Sequence, residues 1–189
     1  MASIVPIFVP HAGCPCQCVF CNQRTIAGQK QRMTPAQARE ILQHAHAILP
    51  AGNIPQAAFY GGSFTAIPVE QQEELLAVTD EFFAAGKISS VRISTRPDAI
   101  DEEILSRMKR HHVTVIELGA QSMSDRVLML SGRGHTAEDT EKASRLIKNA
   151  GFELILQMMV GLPGSAEDDE YATARELCRL SPDGVRIYP

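Results

Sequence analysis

Short apolar, β-branched runs recur along the chain at Ile4–Val9, Gln56–Tyr60, Val91–Thr95, Thr114–Leu118, Leu154–Val160 and Gly184–Tyr188. They read as strands, and the segments between them carry apolar residues at the spacing of a helix. Several helix ends are legible. Thr34-Pro35-Ala36-Gln37 offers an N-cap, a proline at the first helical position and a capping-box glutamine. A second helix begins near Pro68 and stops at Gly86, and a third follows Asp101, with Ile104, Leu105 and Met108 on one face. The fourth is capped by Thr136 with Asp139 three residues on and ends at Gly151; the fifth starts at Ser165, with Asp168 in the same role.

This alternation predicts a parallel sheet joined by right-handed crossover helices. The strands are short and mostly apolar, as strands covered on both faces are. Every unusual residue cluster follows a predicted strand. Cysteines follow the first, Gly61-Gly62-Ser63-Phe64-Thr65 the second and Thr95-Arg96-Pro97-Asp98 the third. Gly119-Ala120-Gln121-Ser122 follows the fourth and Gly161-Leu162-Pro163-Gly164 the fifth. A doubly wound sheet concentrates function at one switch point, whereas a barrel-like fold spreads it along the rim at the strand C-termini. The expectation is α/β: a partial (β/α)6 barrel of parallel strands with outer helices. It forms one domain over residues 1–189, truncated after the sixth strand.

Composition narrows the function without naming it. The 189 residues suffice for one domain with a substantial core. A formal net charge of −4 argues against a surface that grips nucleic acid unaided. No stretch approaches the ~20 consecutive apolar residues of a membrane span. The N-terminus lacks a signal-peptide pattern, so a cytoplasmic setting is expected. There, clustered cysteines point to metal or redox chemistry rather than disulfides. Four of the five cysteines fall between Cys14 and Cys21.

Their order is Cys14-Pro15-Cys16-Gln17-Cys18-Val19-Phe20-Cys21, which contains Cys14-x3-Cys18-x2-Cys21. A 4Fe–4S cubane held by three thiolates keeps one iron open, and the amino and carboxylate groups of an amino acid can chelate it. A zinc site on Cys14, Cys16, Cys18 and Cys21 is the competing reading, although structural zinc sites favour paired cysteines separated by a longer loop. A ferredoxin-like carrier with Cys16 as fourth ligand would need tight corners. Cys16 reads as a spare thiol, and Cys178, on a helix face with Tyr171 and Ala174, as core packing. The six histidines show no metal-ligand spacing. His111-His112 closes the third helix, where the dipole favours cations, and His11 reads as structural.

The spacing of the three cysteines after a first strand, with Phe20 before the third, resembles the radical S-adenosylmethionine (SAM) superfamily. The likeness runs over essentially the whole chain. It implies that Cys14, Cys18 and Cys21 hold a 4Fe–4S cluster shielded by Phe20. Tyr60-Gly61-Gly62-Ser63-Phe64-Thr65 resembles the family's glycine-rich motif, which implies that Gly61, Gly62 and Ser63 meet the amino group of SAM. Ser63 stands where an acidic residue is usual. Ser94 and Thr95 resemble a position that reaches the ribose or carboxylate, and equally read as a turn before Pro97-Asp98. Glu117 is a carboxylate inside an apolar strand and needs a partner or an open cavity. Gln121 aligns with a ribose-binding glutamine and Arg133 with a carboxylate-binding arginine; Arg133 also reads as a solvated loop residue. Gln157 takes the place of a polar residue near the ribose. Met158-Met159-Val160 and the following Gly161–Gly164 turn would line the adenine side, though strand methionines are more often core. The backbone of Val185-Arg186-Ile187-Tyr188 would close the adenine pocket.

The motifs Tyr-Gly-Gly-Ser-Phe-Thr, Ser-Thr-Arg-Pro-Asp, Glu-Leu-Gly-x-Gln-Ser and Arg-Ile-Tyr-Pro resemble the branch shared by elongator-type enzymes and oxygen-independent coproporphyrinogen III oxidase. Asn22 and Gln23 replace the further cysteine of the porphyrin enzymes, and the elongator enzymes' longer cysteine-loop insert and acetyltransferase domain have no counterpart here. Neither substrate therefore carries over, and RNA and tetrapyrrole-related molecules both stay open. The resemblance implies reductive cleavage of SAM, with electrons from a reductant such as flavodoxin or ferredoxin. The alternatives are a non-catalytic zinc- or cluster-binding module, or a degenerate radical-enzyme scaffold.

Overall fold

The computed structural model describes residues 3–9, 14, 18–21 and 32–189. Six strands form one sheet in sequence order, with every neighbouring pair parallel. They are β1 (Ile4–Val9), β2 (Gln56–Gly61), β3 (Ser90–Thr95), β4 (Val113–Gln121), β5 (Glu153–Met159) and β6 (Gly184–Tyr188). The helices are α1 (Pro35–Ile48), α2 (Val69–Ala84), α3 (Glu102–Arg110), α4 (Asp125–Leu130), α5 (Ala137–Asn149) and α6 (Glu167–Arg179). Two 3₁₀ turns, Phe64–Ala66 and Pro97–Ala99, follow β2 and β3. This is the partial (β/α)6 barrel that the alternation predicts, open between β1 and β6.

The two faces of the sheet differ in chemistry. On one, Ile7, Phe59, Ile93, Ile116 and Leu156 are fully buried in a core with Leu42, Leu75, Leu76, Met108 and Ile147 from the helices. Each such side chain contributes roughly 1.5–3 kcal/mol by leaving water. Phe59 also stacks on Phe64 with ring centroids 4.5 Å apart. The other face carries Tyr60, Arg92, Ser94, Glu117, Gln157 and Arg186, and is not the second apolar face expected from the strand composition. Among the described residues, no helix is long and apolar enough to cross a membrane.

Caps set most helix starts as expected. Thr34 and Gln37 bond reciprocally, Asp101 accepts from the Ile104 N–H at 2.7 Å, and Thr136 and Asp139 form a second reciprocal pair. The Thr136 backbone N–H holds the Asp139 carboxyl below the usual range. Helix α6 starts one residue later than read: Ala166 is its N-cap, and Asp169, not Asp168, accepts the cap N–H at 3.0 Å. Helix α4 was not foreseen, because six residues are too few for a periodic signal. His111 does cap α3, and its ring reaches Asp80 (2.7 Å) and Glu73 (2.9 Å) on α2.

Cys178 corrects an expectation. It is exposed, because α6 buries Thr173 and Leu177 and turns Tyr171 and Cys178 to the surface.

Candidate functional site

A cavity of about 410 Å³ opens at the C-terminal ends of the strands, and all the candidate cluster and cofactor residues border it. Cys14, Cys18 and Cys21 stand at one end with Phe20. A tight turn, with the Cys21 N–H on the Cys18 carbonyl at 2.9 Å, sets the last two. Cys14 Sγ lies 3.3 Å from Ser63 Oγ, which ties the first cysteine to the glycine-rich turn. The Val19 N–H donates to the Ser131 carbonyl at 3.1 Å, fastening the loop to the segment after α4. No three His, Cys, Asp or Glu side chains among the described residues converge on a single ion position. In a cubane each thiolate takes its own iron, so the three thiols need not meet at one ion. Cys16 and His11 lie outside the described residues.

Gly61, at the end of β2, has φ +103°, a conformation that only glycine adopts without strain. A Cβ there would also stand 2.6 Å from the Phe8 ring, so the backbone of Gly61 and Gly62 reaches the cavity bare. Thr95 is buried and its hydroxyl meets that of Thr65 at 2.6 Å, while Ser94 is half-buried on the cavity wall. Both belong to β3, not to the turn, which begins at Pro97.

At the end of β4 a bulge lets Gly119 pair with Gln157 and Gln121 with Met158, leaving Ala120 as the extra residue. Gln121 takes φ +65° and borders the cavity, although its ladder neighbour Met158 is buried in the helix-side core. Bulges next to sites re-aim side chains in this way. Arg133 is buried, which excludes the solvated-loop reading. Its Nη2 donates to the Gly119 carbonyl at 2.8 Å and its Nη1 stands 3.8 Å from Cys18 Sγ. Arg96 donates to the Arg133 carbonyl at 2.9 Å from behind. Two buried atoms here, Gln121 Oε1 and Arg133 Nε, have no partner among the described residues. Such orphans beside a cavity are what a bound polar ligand satisfies. A side chain on Gly119 would stand 2.9 Å from both Arg133 Nη2 and Gln121 Nε2.

Deeper between the strands, Glu117 finds its partners. Its Oε1 accepts from Tyr60 Oη (2.9 Å), Arg92 Nη1 (2.9 Å) and Arg186 Nη2 (3.0 Å), and its Oε2 from Gln157 Nε2 (2.8 Å). Burial, then the bond to Glu117, pushes the Tyr60 phenol up to about 12, so it stays a donor. Burial is the largest influence on the Arg186 charge and works against it, but Glu117, Tyr60 and Tyr188 together outweigh it and raise the guanidinium above its ordinary value. Sequence reasoning missed Arg92 and the side-chain roles of Arg186 and Tyr60. The available signal was alternation: Arg92 precedes Ser94 by two positions, and Arg186 precedes Tyr188 by two, so each pair shares a strand face.

Comparison with known proteins follows the same lines. The family model described as the radical SAM superfamily matches residues 8–177. A tRNA uridine(34) acetyltransferase from Methanocaldococcus infernus is 38% identical over 100 residues, which cover 51% of this chain and 19% of that protein. The chain thus spans a minor part of such relatives. Among solved structures, the archaeal M. infernus Elp3 superposes with TM-score 0.74 at 24% identity, over 100% of this chain and 45% of that one. Coproporphyrinogen III oxidase (HemN) from Escherichia coli, described as a radical SAM enzyme, superposes with TM-score 0.68 at 18% identity, over 99% and 43%.

Proposed function

The chain belongs to the radical SAM superfamily, and on that premise we propose that it binds a 4Fe–4S cluster and cleaves SAM reductively. The observation that carries this reading is one cavity bordered by three thiols, a bare glycine backbone and two orphaned buried polar atoms. A cluster held there would supply the one electron for reductive cleavage of the C5′–S bond of SAM, giving methionine and a 5′-deoxyadenosyl radical able to take hydrogen from a substrate.

The chain's own residues hold and orient. Cys14, Cys18 and Cys21 would hold the cluster, and three thiolates would leave one iron free for the amino-acid end of SAM. The backbone of Gly61 and Gly62, with Ser63, receives the amino group. Arg133, already beside Cys18, meets the carboxylate. Gln121 and Gln157, with Ser94 and Thr95, take the ribose side, where the orphaned Gln121 Oε1 accepts a hydroxyl proton. Glu117 keeps Gln157 and Tyr60 in place, and Phe20 keeps water from the cluster. The electron comes from a reductant such as flavodoxin or ferredoxin, in the cytoplasm.

The test is anaerobic reconstitution with iron and sulfide, then an assay for 5′-deoxyadenosine after adding SAM and dithionite. Product is expected from the native chain and from Cys16→Ala, and none from Cys14→Ala, Cys18→Ala or Cys21→Ala. Zinc binding in place of a cluster, or a cluster that never cleaves SAM, overturns the reading.

A further inference from the structure

Two arginines converge on one carboxylate at the floor of the cavity, and the charges do not cancel. Glu117 Oε1 already receives three donors, from Tyr60, Arg92 and Arg186, at 2.9–3.0 Å. An oxygen with two lone pairs has no capacity for more. Tyr60 stays neutral, its phenol held at about 12. Arg92 has a side chain only 11% exposed, spends its other terminal nitrogen on Gln56 at 3.1 Å, and leaves a buried Nε without a partner among the described residues. Of the charged residues that border the cavity, Arg133 is committed to the cysteine end. A partly buried cation without its own counter-charge is costly. Arg186 is the member that can reach one, because its side chain is 40% exposed and borders the cavity. Only part of its five-donor fork is used by Glu117 and by the adjoining Tyr188.

We propose that Arg186, backed by Arg92 and Glu117, is an oxyanion receptor in the cavity, and that the substrate carries a carboxylate or phosphate group which it grips. Arginine's planar fork matches both groups. The proposal rests on the radical SAM reading for its description of the ligand as substrate, but not for the receptor itself. Glu117, the one carboxylate shared by Arg92 and Arg186, limits the surplus charge to one.

The receptor is tested by thermal denaturation of the full reconstituted chain in inorganic phosphate or acetate, against chloride at equal ionic strength, with and without saturating SAM. The native chain should gain melting temperature saturably with phosphate, acetate or both, and the gain should persist with SAM present. Which anion is preferred assigns the substrate group. Arg186→Gln should weaken the saturation midpoint by about tenfold or more, whereas Glu117→Gln, which frees the second positive charge, should tighten it. Opposite signs from two partners of one ion pair are not what a purely structural role gives. If either variant fails to fold, Arg186→Lys, which keeps the charge and loses the fork, should still weaken phosphate several-fold, roughly threefold or more. An unsaturable response, an Arg186→Gln midpoint equal to the native one, or loss of the effect on adding SAM overturns the proposal. 5′-Deoxyadenosine formation without anion binding sinks the receptor alone; anion binding without SAM cleavage sinks the radical reading alone.

Discussion

His135 shows how much one buried side chain behind the site is asked to do. It is 5% exposed, with Nε2 bonded to the Ala120 carbonyl at 3.2 Å and Nδ1 lacking a partner among the described residues. Burial, and then the Arg133 charge, push its pKa down from 6.5 to about 4. The folded chain therefore refuses a proton that the unfolded chain accepts. The stability tied to this group is full above pH 6.5, falls as pH drops towards 4, and changes no further below that. The loss across the window amounts to about 3 kcal/mol. Urea unfolding measured from pH 7 to pH 4 should show this slope in the native chain and a flatter one in His135→Gln, which keeps a donor for Ala120 but does not titrate. Parallel profiles would mean that His135 takes up its proton as readily in the fold as out of it.

The starts of helices show which local signals suffice. At α5, Thr136 and Asp139 bond each other's backbone N–H groups at 3.2 and 2.8 Å, a pattern visible in four consecutive residues. Thr136→Ala removes half of it and should cost about 1 kcal/mol in chemical denaturation; a cost near zero would show that α5 is held by its buried face alone. At α6 the same logic misplaces the start by one residue, because Asp168 and Asp169 are equally suitable on paper. Arg126 decides between them, reaching Asp169 at 2.8 Å and the Gly164 carbonyl at 2.7 Å. That arginine precedes Asp169 by 43 residues, so the choice is a tertiary one. The bulge at Gly119–Gln121 is likewise set by pairing with β5, and the isolated Gly119 in β4 is its one local sign.

At the scale of the whole molecule, the sheet divides an apolar core from a polar cavity, and β6 stands apart from that core. Leu156, on β5, is fully buried against the helix layer, whereas Ile187, on β6, is 63% exposed. Leu156→Ala should therefore cost about 2–5 kcal/mol, while Ile187→Ala should stay within about 0.5 kcal/mol. Equal costs in paired denaturant titrations would show that the outward face of β6 is covered in solution.

The sequence alone was enough for the βα alternation, the caps at Thr34, Asp101 and Thr136, and the clusters at the strand ends, because each is written in neighbouring residues with a short-range physical cause. The thirteen candidate site residues could be named from the same local motifs, and the fold gathers them around one cavity. What only the tertiary structure decided is who partners whom. Glu117 announced that it needed a partner, but Tyr60 lies 57 positions away, Arg186 lies 69 away, and Arg92 stands in β3 just outside the motif that begins at Ser94. Cys178 went the other way: helical periodicity gave it a face, and packing put that face outside. A carboxylate's need for a counter-charge is local chemistry, whereas the identity of its donors depends on which strands the parallel sheet lays side by side.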